Sequence, residues 1–273
     1  MEWKNVYRGL LIGASDVIPG VSGGTIAVLL GIYDRLINAI NGIFSRRWKG
    51  QLNFLIPLVI GVGLAIFTIA RIMKWLFLYY PEPTYFFFLG LIIGIIPQLL
   101  EEANVRQTFA MKQIILLLLG ALAVSSMIFF MDIEPGSVIT DRTFKTYLLL
   151  FISGILASAA MILPGISGSV VFLILGVYPT VIEVIYSFDI KAIIVIGTGI
   201  VIGIITMSKL IHYFLKHFRN NTFALIIGAV IGSIFVIFPG WPEQTSLIMS
   251  CLVTGASGLL GAYILGKVEY ENE

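Results

Sequence analysis

Apolar residues run through this chain in long blocks rather than at a helical or strand period, and the polar residues gather where the blocks end. Several blocks approach or exceed the ~18 apolar residues that signal a membrane-spanning helix. Six of them are unbroken: Phe54–Tyr80, Thr84–Leu100, Gln113–Met131, Ile190–Lys216, Thr222–Phe238 and Leu247–Leu265. Two more, Tyr7–Phe44 and Phe144–Tyr186, are interrupted by nearly the same phrase, Pro19-Gly20-Val21-Ser22-Gly23-Gly24 and Pro164-Gly165-Ile166-Ser167-Gly168-Ser169. A Pro-Gly break inside an apolar block frees backbone groups that lipid cannot satisfy, so it survives only where protein buries it or a polar cavity meets it. Each interrupted block is therefore read as a broken, re-entrant helical hairpin.

The two copies are offset by 145 residues, and a Gly-x-Tyr step follows eleven residues after Gly20 and Gly165, at Gly31-Ile32-Tyr33 and Gly176-Val177-Tyr178. From Pro19 to Ile37 against Pro164 to Ile182, eight of nineteen positions are identical without a gap. Gly90-x-x-x-Gly94 after Thr84 mirrors Gly228-x-x-x-Gly232 after Thr222, a spacing that lets membrane helices approach backbone to backbone. The fold expected is an all-α integral membrane protein of two inverted repeats, each a broken hairpin plus three transmembrane helices. Residues 1–131 form the first repeat, 132–143 a polar connector and 144–273 the second repeat, within one membrane domain. Matched breaks in two halves are the strongest sequence pointer to a transporter's central site.

Charge sets the orientation. If each hairpin enters and leaves on one side, each half crosses three times, and an odd number inverts the halves. With the N-terminus inside, the inner loops hold Lys4, Arg8, Arg46, Arg47, Lys49, Arg106, Lys112, Lys209, Lys216, Arg219 and Lys267. The outer side holds Arg71, Lys74, Arg142, Lys145 and Lys191. This asymmetry satisfies the positive-inside rule and places both termini in the cytoplasm.

Composition agrees: 58% hydrophobic, 12% charged, mean hydropathy +1.00, against ~25% charged residues in soluble domains. Cys251 stands alone, so no intrachain disulfide forms, and no metal-ligand spacing is present. Lys4 and Arg8 before an apolar stretch resemble a signal peptide, but that stretch runs into the first motif, which argues against the reading. Nothing suggests a nucleic-acid partner.

The chemistry is expected at the breaks. Proline ends the first arm, glycine permits the turn, and Ser22 or Ser167 is a natural N-cap for the second arm. The start of that arm then presents N–H groups and a partial positive charge, an arrangement suited to an anion such as phosphate. Gly20, Ser22, Gly23, Gly24 and Thr25 from the first copy, with Gly165, Ser167, Gly168 and Ser169 from the second, are the candidate phosphate-binding residues. The alternative is that they are close-packing turns. Asp16 is the carboxylate in the first arm of the first hairpin, three residues before Pro19, and its counterpart is Met161. An intramembrane acid is costly and is a candidate for proton or cation exchange, with a local cap or an Arg8 pair as the structural alternative. Glu183, and Arg71, Lys74 and Lys209 near helix ends, are candidates for coupling, gating or lipid-phosphate contact, with snorkelling the alternative for the basic residues. The Gly-x-Ser-Gly phrase also suggests a serine protease, but His212 and His217 lie far from it at a membrane surface.

Ala14-Ser15-Asp16-Val17-Ile18-Pro19-Gly20-Val21-Ser22-Gly23-Gly24-Thr25 with Gly31-Ile32-Tyr33, and Leu163-Pro164-Gly165-Ile166-Ser167-Gly168-Ser169 with Gly176-Val177-Tyr178, resemble the paired motifs of the bacterial polyprenyl-phosphate transporters. The resemblance covers essentially the whole chain. It implies a non-enzymatic translocase in the bacterial cytoplasmic membrane. Such a protein returns undecaprenyl phosphate from the outer to the inner leaflet for cell-envelope polymer synthesis. It implies no cofactor, and the polyprenyl-phosphate lipid and surrounding membrane lipids as partners; coupling to a proton or sodium gradient is the candidate that Asp16 raises. A homo-oligomer is left open. The residues alone also fit a small-anion channel or exchanger using the same central site, or a membrane lipid phosphatase. The run Tyr85-Phe86-Phe87-Phe88 is a candidate wall for a lipid-facing groove.

Overall fold

The computed structural model describes residues 1–16, 22–43, 45, 48–130 and 137–270; Pro19, Gly20 and the start of the connector at Asp132 lie outside the described residues. The first half contains α1 (Asn5–Asp16), α2 (Gly23–Leu29), α3 (Tyr33–Gly42), α4 (Trp48–Tyr79), α5 (Pro81–Glu102), a short α6 (Val105–Thr108) and α7 (Met111–Ser125), which tightens into a 3₁₀ turn over Ser126–Phe130. The second half contains α8 (Phe144–Ile162), α9 (Gly168–Ile174), α10 (Tyr178–Tyr186), α11 (Ile190–His217), α12 (Arg219–Ile237) and α13 (Thr245–Tyr270). No strand occurs among the described residues.

Seven helices among the described residues are long and apolar enough to cross a bilayer. The six expected spans are α4, α5, α7, α11, α12 and α13; the seventh is α8, the first arm of the second hairpin. Its 19 residues reach about 28 Å at 1.5 Å per residue, close to the hydrocarbon thickness of a bilayer. The matching α1 has 12 residues and reaches about 18 Å. The chain is thus an all-helical, multi-pass membrane protein, with first arms of unequal length.

Each hairpin has a second break that hydropathy does not reveal. The axes of α2 and α3 differ by 118°, and those of α9 and α10 by 113°. The cause is the Gly-x-Tyr step. Gly31 and Gly176 adopt left-handed φ values of 66° and 67°, which a side chain would oppose. The N–H groups of Gly31 and Ile32 then donate to Val28 O (2.9 Å) and Ala27 O (3.0 Å); those of Gly176 and Val177 donate to Leu173 O (2.9 Å) and Phe172 O (3.0 Å). This is the Schellman pattern, made identically in both halves, and it closes one helix before Tyr33 or Tyr178 opens the next.

Packing follows from small residues. Lipid tails are as apolar as leucine, so helices associate through close backbone contact rather than through burial from water. The dominant pairs are α1 with α4, α8 with α11, α5 with α13 and α7 with α12. Gly9 and Gly13 of α1 sit against the backbone at Leu58 and Val62, and Gly154 of α8 against Ile196. Gly90 and Gly94 of α5 face Gly255 and Ala262, so α5 and α13 run parallel. Gln113 bonds Asn221 at 2.9 Å while Gly232 abuts Val124, so α7 and α12 also run parallel. Each first arm therefore pairs within its own half, while the later spans pair across halves. Arg219 strengthens this crossing, its Nη1 lying 2.9 Å from Asp34 of α3 and its Nη2 3.8 Å from Glu102 of α5.

The two short helices after the motifs occupy different environments. Every residue of α2 is buried, and Ile26 and Leu29 join Ile92, Ile95 and Ile227 in the core. In α9, Val170 is the buried residue. Related sequence segments are thus packed solid in one half and set beside open space in the other.

Candidate functional site

The second arm of the first motif begins with Ser22 in an extended conformation (φ −115°, ψ 147°), its hydroxyl accepting from Thr25 N–H at 3.3 Å. This is the N-cap read from the sequence. The same hydroxyl reaches across to the second motif, donating to Leu163 O at 3.3 Å. Gly165 N–H donates to Thr25 Oγ1 at 2.8 Å and to Ser22 Oγ at 3.2 Å. Tyr33 Oη donates to Ile162 O at 3.2 Å. Ser22 and Thr25 are each 1% exposed and their hydroxyls are bonded to protein, although Ser22 also borders a cavity. They fasten the first motif to the backbone of the second.

Two glycines let the backbones approach here, Gly24 toward the end of α8 and Gly165 toward α12. A Cβ on Gly24 would stand 2.7 Å from Ile162 O. Gly165 has φ +87°, and a Cβ there would stand 2.5 Å from Ala229 O. Both positions therefore require glycine for the backbones to meet.

Asp16, the last described residue of α1, turns its side chain onto the second arm. Its Oδ1 accepts from Gly23 N–H, the first amide of α2, at 2.7 Å. The carboxylate thus occupies the start of α2, where a negative charge is favoured. Arg8 is not the partner in this bond. It lies eight residues earlier on α1, about 12 Å away along the axis, and its Nη1 donates to Asn5 Oδ1 at 3.0 Å.

The second motif is built alike but left open. Ser167 has the N-cap conformation (φ −89°, ψ 132°), yet its hydroxyl makes no capping bond and lies 2.8 Å from Ser169 Oγ instead. The residue matching Asp16 is Met161, whose thioether offers no charge and only a weak acceptor in its place. Gly168 lies close to α8: a Cβ there would stand 3.0 Å from Ala157 O, so the neighbouring backbone must give by a few tenths of an ångström to admit one.

These elements surround a cavity of about 300 Å³. Asp16 and Ser22 line it from the first half, and Ser158, Ser167, Gly168, Ser169 and Tyr178 from the second, with Phe172 and Ile200 among its apolar walls. No lysine or arginine lines it among the described residues. The cavity offers hydroxyls and the start of α9 facing one carboxylate, a set able to hold an oxyanion if its charge is compensated.

The structure brings Asp16, Ser22, Ser167, Gly168 and Ser169 together at this cavity. Gly24, Thr25 and Gly165 lie behind it as the packed joint between the motifs, and Gly23 packs against Ile12 and Asp16 of α1. Gly20 and the side chains of Arg71 and Lys74 lie outside the described residues. Glu183 and Lys209 are exposed on α10 and α11 and do not line the cavity. His212 Nδ1 pairs with Asn38 Oδ1 at 2.8 Å and His217 Nδ1 with Tyr213 O at 2.9 Å, so neither bonds a motif serine. Among the described residues no group of three His, Cys, Asp or Glu is placed to hold a metal. Sequence reading missed Ser158, whose hydroxyl bonds Ile200 O at 3.0 Å, and the cavity role of Tyr178. The Gly-x-Tyr repeat was the available signal for Tyr178; an isolated serine in an apolar helix gave none for Ser158.

Comparison with known proteins follows the same elements. A polyprenyl-phosphate transporter of Staphylococcus aureus (strain NCTC 8325 / PS 47) is 41% identical over 280 residues, covering 100% of this chain and 99% of that protein. A polyprenyl-phosphate transporter of Vibrio cholerae serotype O1 (strain ATCC 39315 / El Tor Inaba N16961) is 34% identical over 262 residues, covering 90% of this chain and 80% of that protein. No solved structure gives a significant match. The family model described as undecaprenyl phosphate translocase-like matches residues 12–252, from within α1, through both motifs, into α13. The chain belongs to the undecaprenyl phosphate translocase-like family.

Proposed function

We propose that the protein moves undecaprenyl phosphate across the bacterial cytoplasmic membrane, from the outer leaflet to the inner, so that the lipid carrier is reused in cell-envelope polymer synthesis. The observation that carries this reading is the meeting of two motifs, 145 residues apart, on one cavity that gathers a carboxylate and several serines inside an otherwise apolar protein. A lipid monophosphate needs a polar seat for its head within the membrane, and the two related transporters are named for that substrate class. The reading makes the protein a carrier without catalytic residues.

Helix directions support an inverted repeat and both termini in the cytoplasm. Successive crossings of a membrane alternate in sense, so α5 runs against α4, α7 against α5 and α12 against α11. Because α12 runs with α7, and α7 against α5, α4 and α11 have opposite senses. In the orientation given by the loop charges, the cavity then lies on the outer side of the motif joint and receives the outer-leaflet lipid.

The phosphate is held by Ser167, Gly168 and Ser169 at the start of α9, with Ser22 and Ser158 nearby. Asp16 supplies the coupling. A phosphate and a carboxylate in one low-dielectric cavity repel each other unless a cation accompanies them. No basic side chain lines the cavity among the described residues, so a proton on the carboxylate or a bound sodium ion fills that role. The reading is tested in vesicles of bacterial phospholipid that contain the purified protein and a fluorescent polyprenyl phosphate. Loss of outer-leaflet signal should require the protein and respond to an imposed proton or sodium gradient. Equal loss in protein-free vesicles would reject the function.

A further inference from the structure

A second, larger space lies on the other face of the motif joint. It is a groove of about 550 Å³, bounded by α7, α12 and the C-terminal half of α11. That size is typical of small-ligand sites, about 300–1,000 Å³. Its walls are apolar over most of their length, including Leu116, Ala123, Leu225 and Phe214. Leu225 and Phe214 are 42% and 41% exposed, so the groove opens sideways at membrane depth rather than closing into a core void. One end is polar, with Lys112 and Asn221 at the first turns of α7 and α12. The other end stops on Leu163, Pro164 and Ile166, the backbone stretch whose continuation, Ser167 and Gly168, lines the polar cavity.

We propose that this groove is a second station for the same lipid. It holds the first prenyl units of a polyprenyl phosphate in the inner leaflet, with the phosphate beside Lys112 and Asn221. The inference rests on the function proposed above. Three observations select this occupant. The groove is apolar along its length and open to the side, which suits a hydrocarbon chain. Its cationic end lies at helix starts on the side that the loop charges make cytoplasmic, which suits an anionic head in the inner leaflet. Its far end abuts the loop carrying Ser167, so movement of that one loop reaches the outer cavity and the inner groove together. Gains from burial are small here, because the chain leaves one apolar medium for another. The groove therefore acts through shape and through the charge at its mouth.

The test uses the full chain in nanodiscs and two photoreactive probes, a polyprenyl phosphate and a two-chain phosphatidic acid, each with a diazirine in its hydrocarbon. The polyprenyl probe should label α7 and α12 around Ala123 and Leu225, and excess unlabelled polyprenyl phosphate, but not excess phosphatidic acid, should suppress the labelling. Ala123→Trp should fill the groove, reduce this labelling about tenfold and slow transport by a similar factor. An unchanged melting temperature shows that the variant is folded; if it is not, Leu225→Trp replaces it. Labelling elsewhere, or equal suppression by phosphatidic acid, overturns the groove assignment. If the wild type transports polyprenyl phosphate while the groove stays unlabelled, this inference alone fails. If the wild type transports none, the function proposed above fails.

Discussion

The clasp between the motifs has an energetic signature that a double-mutant cycle can read. Gly165 N–H is shared by Thr25 Oγ1 at 2.8 Å and Ser22 Oγ at 3.2 Å, and both hydroxyls are buried beyond the reach of bulk solvent. Thr25→Val keeps the side-chain shape and leaves Ser22 as acceptor, so it should cost about 1 kcal/mol, the net worth of one hydrogen bond. Ser22→Ala leaves Thr25 as acceptor and removes the cap on α2, again about 1 kcal/mol. The double variant leaves a buried N–H with no acceptor, which adds a desolvation penalty of about 1–3 kcal/mol that neither single variant meets. The cycle should therefore show a coupling of roughly 1–2 kcal/mol, the double variant being worse than the sum of the singles. Reversible unfolding in detergent gives the energies, and hydrogen exchange at the Gly165 amide should accelerate most in the double variant. Additivity within about 0.5 kcal/mol would refute the shared bond and with it the clasp.

Other expectations follow from single contacts. Asp16→Asn keeps an oxygen for Gly23 N–H and should retain the fold and lipid binding, but should remove the pH dependence of transport in vesicles; an unchanged pH profile would leave Asp16 as a cap. Gly168→Val places branched carbon where a single Cβ already stands 3.0 Å from Ala157 O, and should abolish lipid binding with little change in circular dichroism. Asp189, at the turn before α11, has its carboxyl held below the usual carboxylate range by the Ala192 N–H and then by Arg142 at 2.9 Å. A lowered folded value stabilises the fold above the unfolded value of about 3.9 and loses that contribution as pH falls through the folded one. Asp189→Asn should accordingly flatten the drop in melting temperature between about pH 5 and pH 3, measured by thermal scans.

The spans were legible because hydropathy alone marks them. The hairpins were legible because a Pro-Gly pair inside an apolar block persists only where protein or a polar cavity meets the freed backbone. Partner choice was not. Helices such as α12 and α13 are apolar on all sides, so no polar face says which neighbour each will take. Gly90, Gly94, Gly228 and Gly232 announced close approach, but nothing in their spacing pointed to α13 and α7 across the repeat. The second break at Gly31 and Gly176 was visible as a repeated Gly-x-Tyr step, yet its meaning depends on a left-handed φ that sequence does not state. The different environments of α2 and α9 arise from packing between halves, which a comparison of two similar segments leaves out. Thr25 illustrates this. The motif alone directs its hydroxyl at an anion, whereas its position opposite Gly165 gives it a backbone N–H to satisfy.

The central claim is that the lipid phosphate sits at the start of α9 between the two motifs. Dipolar dephasing between the ³¹P of bound polyprenyl phosphate and ¹⁵N-glycine protein tests it directly in membranes. An N–H donor to a phosphate oxygen puts phosphorus about 4 Å from the amide nitrogen. The account predicts strong dephasing that disappears in Gly168→Ala while the ³¹P signal of bound lipid is retained, because that variant keeps the amide and removes its label. Transport at the wild-type rate with no ³¹P–¹⁵N contact, or dephasing that survives Gly168→Ala unchanged, would contradict it.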